Sequence, residues 1–316
     1  MMSNIEIKAA EGLRLDTFPI RADELEREVA LRGRFAEFWS TARGEPTAIY
    51  DEFISATPLT GDVLLDGVDD NSVQGWWVRP AGAEADRAIL YIHGGGYVQG
   101  SAKAYRGFAS QIASRTKLSV FVMDYPLAPE APLPSAPESA LRTYRWLLST
   151  GVRHIAIAGD SAGGGIALLT LARLARHLGE TTAVAGVVFS PWVDLAFTGR
   201  SMIDAKIQDP LLTYENLQDC ARKYLGGADP RDPLASPLYG ELKGLPPVLV
   251  QVGTDERLFD DSRQYAVRAA RAGTSVQLEV WEGMHHVFQL DVAHLHSSRV
   301  ALDRAATFLT RTLIEI

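Results

Sequence analysis

A chain of 316 residues, 47% hydrophobic and 22% charged, can build one large domain or two smaller ones and needs neither disulfide nor metal to hold its core. A formal net charge of −8, with no run of Lys and Arg, excludes a phosphate-backbone partner such as nucleic acid. A single cysteine (Cys220) excludes an intrachain disulfide, and the N-terminus lacks a secretion-signal layout. No apolar stretch approaches the roughly 20 residues that span a bilayer, so the expectation is a cytoplasmic protein with no membrane partner.

Leu31, Phe35, Phe38 and Ala42 recur at i, i+4, i+7 and i+11, one face of a helix. Gly44-Glu45-Pro46 breaks that pattern, and Pro46 can start a second helix through Tyr50 and Phe53. Residues 1–58 are therefore expected to form an N-terminal helical cap segment. Two strands at 63–65 and 74–78 flank the turn-rich Asp69-Asp70-Asn71-Ser72. The apolar run 88–92 has the texture of a strand buried on both faces. Further strands are predicted at 118–123, 154–158, 186–189, 248–252 and 276–281. They alternate with helices near 105–114, 135–148, 164–177, 261–270 and 298–313. That alternation calls for a mainly parallel sheet with helices on both faces, an α/β fold over 59–316. The interval 193–240 breaks the rhythm and is expected to be a cap insertion over one end of the sheet.

Chemistry concentrates in three places. Gly159-Asp160-Ser161-Ala162-Gly163 joins an apolar strand to a helix. A tight turn there lifts Ser161 above the sheet beside the positive end of the helix. Standing alone, the same pattern could be a glycine-rich helix start that binds an anion. His93-Gly94-Gly95-Gly96-Tyr97 follows the strand ending at Ile92. Bare backbone N–H groups suit a developing oxyanion, and Gly94, Gly95 and Ala162 are the expected donors. A nucleotide loop is disfavoured, because neither Gly-Lys-Ser/Thr nor Gly-x-Gly-x-x-Gly occurs there.

A serine nucleophile needs a base held by an acid, in the chain order Ser, acid, His. Asp255 comes first after the strand 248–252, ahead of Glu256, while Asp260 and Asp261 resemble a helix start. Beyond strand 276–281 stand His285 and His286, and the expected set is Ser161, Asp255 and His286. The remaining histidines have structural accounts, His93 as a brace for its own glycine loop. Without His-Glu-x-x-His or paired cysteines no metal is expected, and no cofactor.

With these residues in place, the chain resembles the bacterial hormone-sensitive-lipase-like esterases, α/β-hydrolases with a helical cap. The likeness rests on His93-Gly94-Gly95-Gly96, Gly159-Asp160-Ser161-Ala162-Gly163, Asp255 and His286-Val287-Phe288. Asp124-Tyr125-Pro126-Leu127-Ala128-Pro129-Glu130 also matches, with Pro126 in place of the family's usual Arg. The pattern Gly-x-x-His-x-Phe selects His286 over His285. The resemblance implies a serine carboxylesterase favouring short acyl chains, with Glu130 supporting the site from outside. Lactone hydrolysis uses the same machinery. A non-catalytic ligand-binding or receptor module is the reading from another class, disfavoured because nucleophile, acid and base are all present. Tyr97 and Trp192 are expected to border the pocket, and the stripe Phe35, Phe38, Trp39 to pack beneath the cap. Strand 276–281, taken as the sheet's last, is expected to offer a bare edge for a homodimer.

Overall fold

The apolar runs become the interior strands of a nine-stranded sheet in the computed structural model, which describes residues 11–70, 72–176 and 183–314. Expectations that fall on the first ten residues, Asn71 and His177 lie outside the described residues. The strands are β1 (Leu13–Phe18), β2 (Val63–Asp70), β3 (Val73–Pro80), β4 (Arg87–Ile92) and β5 (Ser119–Asp124). They continue as β6 (His154–Asp160), β7 (Ala185–Phe189), β8 (Val248–Gly253) and β9 (Val276–Trp281). Their order is β1-β9-β8-β7-β6-β4-β5-β3-β2, and only β3 runs against its neighbours. Successive side chains of β4 face opposite layers: Leu90 and Ile92 join one core, Ile89 and Tyr91 the other.

Helices α3 (Arg106–Thr116) and α8 (His296–Ile314) cover one face. On the other lie α4 (Ser135–Ser149), α5 (Ser161–Arg176) and α7 (Phe259–Arg271). The N-terminal segment supplies α1 (Ala22–Thr41) and α2 (Pro46–Ser55), and the interval after β7 supplies α6 (Tyr214–Leu225). Thr213 caps α6, its Oγ1 accepting from the Asn216 N–H at 3.1 Å.

Two expectations change. β1 was not foreseen, and it pairs in parallel with β9 from Leu13↔Val276 to Phe18↔Trp281. β9 is therefore an interior strand. Its backbone groups are already paired on both sides, so the bare edge expected at that strand is not there. The buried stripe of α1 also starts one turn earlier than apolar spacing implied: it is Glu24, Glu28, Leu31 and Phe35, half of it acidic. Among the described residues no helix is long and apolar enough to cross a membrane.

Candidate active site

The end of β6 and the start of α5 form the turn that carries Ser161, whose φ of 51° is a left-handed value held by tight packing. A Cβ at Gly163 would lie 2.2 Å from the Ile92 carbonyl oxygen, so only glycine lets the turn close against β4. Ser161 Oγ lies 3.0 Å from His286 Nε2. His286 follows β9, and its Nδ1 faces Glu256 Oε1 at 3.5 Å, long for a hydrogen bond but directed at it.

The acid facing His286 is thus Glu256, not Asp255. The Asp255 N–H donates to the Met284 carbonyl at 3.0 Å, and the Asp255 side chain turns outward to Arg32 Nη2, also at 3.0 Å. It remains 40% exposed, while Glu256 is fully buried. Ser190 Oγ donates to Glu256 Oε2 at 2.7 Å and the Gly253 N–H at 3.2 Å, fixing the far oxygen. Ser190 Oγ in turn accepts from the Val287 N–H at 3.1 Å, linking acid and base turns. Burial pushes the Glu256 carboxyl up, while for His286 the neighbouring carboxylate outweighs burial and holds the ring above its ordinary value.

The glycine loop also departs from expectation. The Gly94 N–H is already donated to Asp160 Oδ1 at 3.0 Å, so it faces away from any substrate. A Cβ at Gly94 would lie 2.3 Å from Asp160 Oδ2. Gly95 and Gly96 are the glycines that border the cavity beside Ser161. Ala162, second residue of α5, has a first-turn N–H with no helical carbonyl to bond. Asp160 also accepts from the Tyr91 hydroxyl at 2.7 Å and the Tyr105 hydroxyl at 2.9 Å. Burial pushes its carboxyl above the usual range against those donors. His93 does brace its loop: Nδ1 donates to the Gly94 carbonyl at 2.7 Å, and the ring stacks on Tyr125 at 4.4 Å.

A cavity of about 360 Å³ opens over Ser161. Its walls come from Trp39 on α1, Tyr50 and Phe53 on α2, and Leu211, Leu212 and Leu217 from the segment after β7. Tyr97 and Trp192 are not among the bordering residues. Both are buried, with Tyr97 stacked on Tyr224 at 3.8 Å and 5.5 Å from the Trp192 ring. Tyr97 itself has a left-handed φ of 67°. Phe35 packs edge-on against Phe53 and His285, as ordinary core, and Glu130 is exposed at the surface. A more open cleft of about 650 Å³, between β1 and the end of α8, shares no residue with this site. Among the described residues no cluster of His, Cys, Asp or Glu is arranged for a metal.

Of the expected residues, the fold brings together Ser161, His286, Gly95 and Ala162, and it leaves out Asp255, Gly94, Tyr97 and Trp192. Glu256, Gly96 and Ser190 replace or extend them. Adjacent residues of one turn carry no sequence mark of which side chain points inward.

Comparison with known proteins agrees with this fold. Residues 89–290 match a family described as having the alpha/beta hydrolase fold. An acetyl-hydrolase of Streptomyces hygroscopicus is 40% identical over 276 residues, 86% of this chain and 92% of the relative. An esterase of Acinetobacter venetianus is 38% identical over 265 residues, 83% and 87% of the two chains. The crystal structure of an esterase from the bacterial hormone-sensitive lipase family superposes with a TM-score of 0.86 at 40% identity, covering 93% of this chain and 99% of that one. The chain therefore belongs to the α/β-hydrolases and, within them, to the hormone-sensitive-lipase-like carboxylic-ester hydrolases.

Proposed function

We propose that the protein hydrolyses short-chain carboxylic esters by two-step acyl transfer, with Ser161, His286 and Glu256 as nucleophile, base and acid. The observation that carries the reading is the 3.0 Å approach of His286 Nε2 to Ser161 Oγ at the base of an apolar-walled cavity. Ser161 attacks the ester carbonyl as His286 takes its proton, and Glu256 stabilises the resulting imidazolium. The N–H groups of Gly95, Gly96 and Ala162 receive the oxyanion. His286 then protonates the departing alcohol, and a water activated by the same ring releases the acid.

Preference for short chains rests on the size of the cavity. At about 360 Å³ it lies near the lower end of the roughly 300–1,000 Å³ usual for small-molecule sites. Each methylene taken up adds about 0.8 kcal/mol until the walls are met, after which further length adds nothing. The similarity to an acetyl-hydrolase supports the same choice. A series of p-nitrophenyl esters tests it. The expected result is a peak in kcat/KM at or below butyrate, a steep fall by palmitate, and loss of several orders of magnitude in folded Ser161→Ala. Full activity in that variant, or a palmitate optimum, rejects the proposal.

A further inference from the structure

One turn of α1 touches both turns that carry the acid and the base. Arg32 Nε donates to Glu28 Oε1 at 3.0 Å, and Nη1 to the Gln208 carbonyl at 3.1 Å. Nη2 donates to Asp255 Oδ2 and to the Gly283 carbonyl, both at 3.0 Å. Glu28 Oε1 also accepts from His285 Nδ1 at 2.8 Å, and His285 Nε2 donates to Asp291 Oδ2 at 3.0 Å. Asp255 immediately precedes Glu256, and His285 immediately precedes His286. A single guanidinium thus joins α1, the segment after β7, the acid turn and the base turn.

The setting makes these bonds matter. Glu28 and His285 are 1% and 0% exposed, and every bond in the set carries a formal charge on at least one partner. Exposed ion pairs contribute little, but removing one partner from a buried, hydrogen-bonded set leaves the other charge unmatched. The acid and base turns are also tied to each other, through the Gly283 N–H to Thr254 Oγ1 at 2.8 Å and the Asp255 N–H to the Met284 carbonyl. Arg32 and Glu28 brace that paired unit from outside. The Glu256–His286 contact is already long, at 3.5 Å, and leaves little room for the two turns to separate.

We infer that Glu28 and Arg32 are positioning residues for ester hydrolysis. Acting through Asp255, Gly283 and His285, they hold Glu256 and His286 in register with Ser161, so that docking of α1 and competence of the acid–base pair are coupled. Asp255 then has its own part as the anchor for Arg32. The inference rests on the proposed roles of Ser161, Glu256 and His286.

A helix that merely roofed the cavity, presenting Trp39, would act on KM; a brace acts on kcat. Kinetics with p-nitrophenyl butyrate on Arg32→Met and Glu28→Gln, checked for folding by near-ultraviolet circular dichroism, separate the two. In Arg32→Met, kcat is expected to fall about 10–100-fold with KM within about threefold, the scale of a small misplacement of reacting groups. Asp255→Ala should add little to that loss in the double variant, and millimolar guanidinium should restore part of the kcat of Arg32→Met. Unchanged kcat with raised KM, or full additivity of Arg32→Met with Asp255→Ala, overturns the inference. Should Arg32→Met fail to fold, Arg32→Lys keeps the charge but cannot make all four bonds, and is judged by the same criteria. An active Ser161→Ala would instead overturn the underlying functional proposal.

Discussion

Asp255 and Glu256 are adjacent in sequence and point to opposite sides of one turn, Asp255 out to Arg32 and Glu256 in to His286. The backbone bond from the Asp255 N–H to the Met284 carbonyl pins that turn to the one that carries His286.

The two acids should therefore differ sharply in their effect on rate. Glu256→Gln is expected to lower kcat by about 10³–10⁴-fold, as losing the acid that orients the base does in serine hydrolases. Asp255→Asn, which keeps an oxygen for Arg32, should stay within about 100-fold of the parent. Steady-state kinetics on the two purified variants decide the matter, and a larger loss in Asp255→Asn would return the role to that residue.

The pH profile should follow the raised pKa of His286. Burial disfavours the charged ring, but the hydrogen bond and charge of Glu256 outweigh it, with Asp209 and Asp160 acting in the same direction. The base works unprotonated, so a raised value moves the acid limb of kcat/KM upward, above the roughly 6.5 of free imidazole. A midpoint clearly below 6.5 would contradict the environment described for His286.

His285 should mark the stability profile at the other end of the pH scale. Both its nitrogens face carboxylates, and although burial opposes the charge, Asp291 and Glu28 hold the ring protonated up to about 10. A group whose folded pKa is raised stabilises fully below its unfolded value, near 6.5, and that contribution is lost as pH rises towards 10. Thermal melts between pH 6 and pH 10 should show a steeper alkaline decline for the parent than for His285→Gln. Parallel curves would mean that His285 is neutral in the fold.

Asp160 should matter for rate although it lies behind the reacting atoms. Its carboxylate gathers the Tyr91 and Tyr105 hydroxyls and the Gly94 N–H, and the Tyr105 hydroxyl is 2.9 Å from that of Tyr50 on α2. In Asp160→Asn an amide nitrogen replaces one acceptor, at a cost of about 1–3 kcal/mol for a buried group left unmatched. A lowered Tm and a fall in kcat larger than any rise in KM are expected. Retention of full kcat would separate Asp160 from the glycine loop.

What could be drawn from the sequence is local or periodic. The strand–turn–helix around Ser161 is contiguous, so its strained turn follows from Gly159, Gly163 and the flanking apolar run alone. The interior strands are visible because each is apolar enough to be buried, and β2 through the turn that joins it to β3. β1 is not, since its six residues alternate weakly and their partner lies more than 250 positions away. The same limit hid that β9 is covered, so strand 276–281 read as a bare edge. Glu24 and Glu28 look like a solvated helix start, and only the arrival of Ser297 and His285 makes their burial favourable.

Sequence by itself thus determined the class of fold, the proposed nucleophile and the short list of candidate acids and bases, because these depend on residue type and on neighbours a few positions away. Tertiary structure decided which of two adjacent carboxylates faces His286, which glycines border the cavity, and that Tyr97 and Trp192 do not. Those choices are set by packing and hydrogen bonds between segments far apart in the chain, and no local pattern encodes them.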